Sequence, residues 1–174
     1  MTKYKNQYRI ETTRLPTWDY SSSGWYFVTI CTKDQSPILG KITNGKMHLS
    51  RAGEIVAEEW VRTGTLRPNL YLDEWVVMPN HMHGILIIEG FKTSQRDVST
   101  TTFTLKRNLL GSIINQFKGK CTKRIRKSSF PNFAWQPRYY DHIIRNDDSL
   151  KKILRYIQEN PLKWEMDEYY LKDP

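Results

Sequence analysis

The chain has 174 residues, 39% of them hydrophobic, and its 27 Lys+Arg against 18 Asp+Glu give a net charge of +9 and a pI near 9.5. That length suits one domain, 1–174, with a real core, and the basic excess points to a polyanionic partner. Two distant cysteines, Cys31 and Cys121, argue against a disulfide scaffold, and no window approaches the ~18 apolar residues of a membrane span.

Residues 1–20 form a polar leader without the apolar core of a signal peptide, so it is expected to be disordered or draped, in a cytoplasmic protein with reduced thiols. Trp25–Thr32, dense in aromatic and β-branched residues, reads as a first, central strand. Ile38–Thr43 and Lys46–Ser50 flank Asn44-Gly45, a pair suited to the φ > 0 positions of a tight turn, and predict an added β-hairpin. Ser50 then caps an amphipathic helix carrying Ile55, Val56, Trp60 and Val61 to a stop at Gly64. Two further strands, Leu70–Val77 and His81–Ile88, are joined by a turn at Pro79-Asn80.

Glu89–Thr102, rich in Ser and Thr, reads as a mobile loop, followed by a helix marked by Leu105, Leu109, Ile113, Ile114 and Phe117. Its end crowds Lys118, Lys120, Lys123 and Arg124, which offer an anion-binding surface or simply a solvated helix terminus. A last strand lies within Trp135–Arg145, with Pro137 confining regular pairing to the residues after it. Asp147 or Asp148 caps a final helix with Leu150, Ile153, Leu154 and Ile157 on its apolar face, ended by Pro161, and 162–174 is a polar, aromatic tail. Strands alternating with helices around hairpins predict an α+β fold in which helices pack on one face of an antiparallel sheet.

Half of the four histidines fall on alternate positions of one strand, His81 and His83, so both imidazoles share a face. They are either polar residues on a half-buried strand or part of a metal site with open positions. Tyr156 and Asn160, four residues apart, share one face of the last helix. Tyr156 either packs its ring on the sheet or acts as a nucleophile towards a phosphodiester, with Asn160 supplying an oxygen to the ion.

His81-Met82-His83 on a strand, followed downstream by Tyr156-Ile157-Gln158-Glu159-Asn160-Pro161, closely resembles the single-tyrosine transposases of the HUH endonuclease superfamily, and the REP-associated tyrosine transposases in particular. Met78-Pro79-Asn80, Ile114–Lys118 and the Tyr-Asp-His-Ile-Ile-Arg core within Trp135–Arg145 add to the resemblance, which spans about residues 20–165. It implies a ferredoxin-like (RRM-like) fold with the histidines on central strands and the tyrosine facing them across a cleft. By position, His81, His83 and Asn160 would hold Mg²⁺ or Mn²⁺ and Tyr156 would be the nucleophile. The substrate implied is single-stranded, hairpin-containing DNA with REP-like palindromic elements, cut through a 5′-phosphotyrosine intermediate. Arg138, Arg145, Lys118, Lys120, Lys123 and Arg124 are candidate phosphate contacts, and Asp141 and His142 match a segment without a derivable role. Relatives include homodimers in which one subunit's tyrosine serves the other's metal. A domesticated, catalytically idle nucleic-acid-binding protein on the same scaffold, and hydrolysis by a metal-activated water, are the competing readings.

Overall fold

A computed structural model describes residues 23–89, 109–128 and 130–170, together with the backbone of 3–4 and 7–8. The elements run β1 (Lys3–Tyr4), β2 (Gln7–Tyr8), β3 (Gly24–Cys31), β4 (Gly40–Thr43), β5 (Lys46–Leu49), α1 (Arg51–Thr65), β6 (Leu70–Val77), β7 (His81–Ile88), α2 (Leu109–Ser128), β8 (Tyr140–Ile144) and α3 (Asp147–Glu159). β1 and β2 pair with each other; the rest of the leader, Leu105 and the expected loop from Gly90 onwards lie outside the described residues. No helix among the described residues is long and apolar enough to cross a membrane.

The main sheet is antiparallel in the order β6-β7-β3-β8. Its four strands and two crossover helices, β3-α1-β6 and β7-α2-β8, give the expected ferredoxin-like α+β fold. Side-chain alternation divides the sheet into two faces. Tyr26, Val28, Ile30, Met82, Leu86 and Ile143 pack with Trp60 of α1 and Ile113, Ile114 and Phe117 of α2 in the larger core. Phe27 and Ile85 face the other way and meet Ile153, Leu154 and Ile157 of α3. Helices on one face therefore describes α1 and α2 alone. The last helix covers the opposite face, because its apolar stripe is matched to the residues of β3 and β7 that alternate with the core positions.

Two glycines set local geometry. Asn44 (φ 51°) and Gly45 (φ 70°) make the left-handed pair of the β4–β5 turn, as a two-residue hairpin requires. Gly84, midway along β7, leaves room for α1: a Cβ there would lie 2.4 Å from Cζ2 of Trp60. Ser50 caps α1 as expected, accepting from the Gly53 N–H at 3.2 Å. At α3 the cap is Asn146 rather than Asp147 or Asp148. Asn146 has extended backbone, and its Oδ1 accepts from the Ser149 N–H at 2.9 Å, which places both aspartates in the first turn, where the helix dipole favours negative charge.

β8 starts later than the expected segment, at Tyr140; upstream, Trp135 makes an isolated bridge to Thr32 before Pro137. Cys31 and Cys121 are free and buried, and burial pushes the Cys31 thiol up to about 12.

Candidate active site

β7 presents His81 and His83 on the face that α3 covers, and both rings are buried. Each is fixed by a neighbour. Asn80 Oδ1 lies 2.8 Å from His81 Nδ1 and, being an acceptor, receives a hydrogen bond from the Nδ1–H, which leaves the lone pair of His81 on Nε2. Asn80 is itself held: its side-chain amide donates to the main-chain carbonyl of Tyr169 at 2.8 Å, and its main-chain carbonyl accepts from the Thr32 hydroxyl at 2.9 Å. His83 Nδ1 lies 2.9 Å from the hydroxyl of Thr29, its register partner on β3. The ring of His83 also stacks on Phe27 with centroids 5.3 Å apart.

The two Nε2 atoms face each other at 2.9 Å. Burial holds His81 neutral down to about pH 3 and depresses His83 well below the ordinary histidine value, with the charge of His81 adding to the second effect. Two lone pairs at this separation repel unless a proton or a cation lies between them. Two nitrogens bound at about 2.1 Å and at right angles on one ion would be about 3 Å apart, close to the observed distance.

A carboxylate completes the cluster. Ligand atoms of His81, His83 and Asp167 all lie within 4.8 Å of one another. Asp167 follows a short 3₁₀ turn, Trp164–Met166, that brings the chain back beneath α3. Its Oδ1 accepts from the Tyr169 N–H at 2.8 Å, and its Oδ2 accepts from the Asn160 amide at 2.7 Å and the Tyr156 hydroxyl at 3.1 Å. Asn160 is buried, and its Oδ1 has no hydrogen-bond partner among the described residues. Uncharged imidazoles, a carboxylate and an unsatisfied buried carbonyl are a donor set that fits a divalent cation.

Tyr156 projects from α3 into this cluster. Its hydroxyl is 3.2 Å from His83 Nε2, its ring 5.0 Å from that of His83, and 38% of the residue remains exposed. Burial, and then the negative charge of Asp167, push the phenol well above its ordinary value, so it is held protonated and donates to Asp167. Tyr169 covers the other side, with its ring 4.6 Å from His81.

Of the residues singled out in sequence, His81, His83, Tyr156 and Asn160 thus converge. The basic ones do not join them. Arg124 is tied to Glu58 and, at 2.8 Å, to Glu59. Lys118 donates to the carbonyls of Gln136 and Arg138 at 2.5 and 3.3 Å. Lys120 and Lys123 are exposed on α2, which packs on the other face of the sheet. Arg138 and Arg145 are exposed at the two ends of β8. Asp141 and His142 point to opposite faces: Asp141 is buried on the side of α1 and α2, and His142 is exposed, 3.5 Å from the Ser149 hydroxyl.

Sequence reasoning missed Asp167, Tyr169 and Thr29. A signal existed for Asp167 in the density of acidic and aromatic residues over Trp164–Tyr170, but no periodicity tied that stretch to the histidines.

No family model matches the chain. It is 39% identical over 164 residues to an uncharacterised protein of Haemophilus influenzae, a match covering 91% of each chain. It is 33% identical over 94 residues to a REP-associated tyrosine transposase of Escherichia coli K12, covering 53% of this chain and 44% of that protein, less than half its length. Among solved structures, a REP-associated tyrosine transposase bound to a REP hairpin shares the fold, with a TM-score of 0.57 at 22% identity over 97% of this chain and 77% of that one.

Proposed function

The chain belongs to one family with the Haemophilus influenzae protein and resembles the REP-associated tyrosine transposases in sequence and fold, and on that premise we propose that it cuts and transfers single-stranded, hairpin-containing DNA through Tyr156. The observation that carries this reading is the Tyr156 hydroxyl 3.2 Å from His83 Nε2, beside a cluster of two neutral histidines and a carboxylate. A surface that only bound DNA would need cations and aromatic rings, but not a phenol against buried imidazoles.

His81, His83 and Asp167 would hold the divalent ion, Mg²⁺ or Mn²⁺, with Asn160 Oδ1 within the same set. When bound, the ion polarises the scissile phosphate and stabilises charge on the leaving oxygen. The phenolic oxygen of Tyr156 attacks phosphorus, forming the tyrosyl O–P bond and breaking the bond to the 3′ oxygen, which leaves as a free 3′-OH after taking a proton from solvent. The proton of Tyr156 already lies on a hydrogen bond to Asp167, so that carboxylate is placed to accept it as the nucleophile forms. Attack by another 3′-OH reverses the step and rejoins the strand. Asn80 and Thr29 are positioning residues that fix the two imidazoles.

The test is incubation with a labelled single-stranded hairpin library and Mn²⁺, followed by denaturing gels. A wild-type adduct stable to SDS, lost in Tyr156→Phe and His81→Ala, is expected. Cleavage surviving Tyr156→Phe would move the mechanism to activated water, and binding without cleavage would favour the idle nucleic-acid-binding reading.

A further inference from the structure

Three cations that share a cleft with the tyrosine are on its own helix. Lys151, Lys152 and Arg155 are exposed and line, with Tyr156, a cleft of about 550 Å³ that reaches Asp167. Helical spacing explains the grouping: Lys152 lies one turn before Tyr156, and Lys151 and Arg155 form the adjacent row. Lys163, in the same cleft, is paired with Glu159 at 2.5 Å. No hydrogen bond or ion pair engages the side chains of Lys151, Lys152 or Arg155 among the described residues. Asp148 is the other acidic group of the lining, and it sits in the first turn of α3. Arg124 and Lys118, by contrast, are engaged by protein groups.

We infer that Lys151, Lys152 and Arg155 form the track for the backbone phosphates of the single strand that adjoins the scissile phosphate. The inference rests on the reading of Tyr156 as the cutting residue and assigns the strand its path. Three exposed cations on two adjacent rows of α3 beside the nucleophile suit a flexible phosphate chain, although Arg155 also feels the Glu159 carboxylate. A single strand bends its phosphates into a cleft more readily than a stiff duplex stem, so the ligand class is single-stranded DNA.

The test is fluorescence anisotropy with a labelled oligothymidine and, separately, a blunt hairpin, in EDTA so that no chemistry occurs. Wild type is compared with a triple variant, Lys151→Gln with Lys152→Gln and Arg155→Gln, and with an α2 control, Lys120→Gln with Lys123→Gln. All five positions are exposed, and unchanged melting curves would confirm folding. Three phosphate contacts correspond to a log–log salt slope of about 2 for a single strand, so the triple variant should lose about a hundredfold in oligothymidine affinity at about 0.1 M salt and match wild type near 1 M. The α2 control should retain its oligothymidine affinity, and the triple variant its hairpin affinity. An unchanged slope in the triple variant, equal loss on the hairpin, or a wild type that does not bind oligothymidine would overturn the track. A tyrosyl adduct formed by wild type despite an unchanged slope would leave the cutting assignment standing without the track. The expected slope change without any adduct would do the reverse.

Discussion

Acidification of the metal-free protein should destabilise it through the same two imidazoles that form the site. Folding holds His81 at about 3 and His83 well below 6.5, by burial, whereas the unfolded chain returns both to about 6.5. Below that value the unfolded state binds more protons than the folded one. Stability is therefore complete above pH 6.5 and declines as pH falls from there towards the folded-state values. A histidine that stays neutral in the fold costs about 1.4 kcal/mol per pH unit, so at pH 5 His81 removes roughly 2 kcal/mol, and His83 acts in the same direction. That is a large part of the ~5–15 kcal/mol that holds an ordinary domain. The window lies above the range of Glu58 and Glu159, whose carboxyls are held below the usual value by Arg124 and Lys163. Urea unfolding in EDTA, followed by tryptophan fluorescence at pH 7, 6 and 5, reads the effect directly. His81→Asn should show a smaller pH slope. A urea midpoint constant between pH 7 and 5, or a slope unchanged in His81→Asn, would refute the account of two buried, uncharged imidazoles.

Gly84→Ala forces a methyl against the Trp60 ring and should cost about 1–3 kcal/mol, read as a lower melting temperature. Arg124→Ala leaves the Glu59 carboxylate, 2% exposed, with only Arg62, at 3.9 Å, as a cationic partner among the described residues; a loss of about 2 kcal/mol in urea unfolding is expected, against under ~0.5 kcal/mol for exposed Lys123→Ala. At neutral pH, Mn²⁺ at about a hundred times its dissociation constant should stabilise the EDTA-treated protein by about 2.7 kcal/mol. His83→Ala and Asp167→Asn should weaken that gain, whereas Lys123→Ala should not.

The parts of the fold that sequence made legible are those governed by local periodicity. Runs of aromatic and β-branched residues marked Trp25–Thr32 and His81–Ile88 as strands, the i, i+2 spacing of His81 and His83 put both on one face, and Asn44-Gly45 and Ser50 marked a turn and a cap through their own backbone chemistry. The face that α3 covers was not legible, since a helix's apolar stripe does not say which side of a sheet it meets. Asp167 was hidden for a related reason: it reaches the histidines through the turn after Pro161, and that return is set by packing of Trp164 and Tyr169 against β7 rather than by any repeat. Thr29 became visible only with the β3–β7 register. Charge in sequence also does not distinguish Arg124, paired with Glu58 and Glu59, from Lys152, which has no hydrogen-bond or ion-pair partner among the described residues.

Two tyrosines lie against the histidine pair, Tyr156 at His83 and Tyr169 at His81, and the central claim assigns the chemistry to the first. The most direct measurement is peptide mapping by mass spectrometry of the covalent species formed with Mn²⁺ and a single-stranded hairpin substrate. A 5′-phosphate-linked nucleotide is expected on the peptide containing Tyr156, and none on Tyr169. A nucleotide on Tyr169, or cleaved DNA with no modified tyrosine, would contradict it.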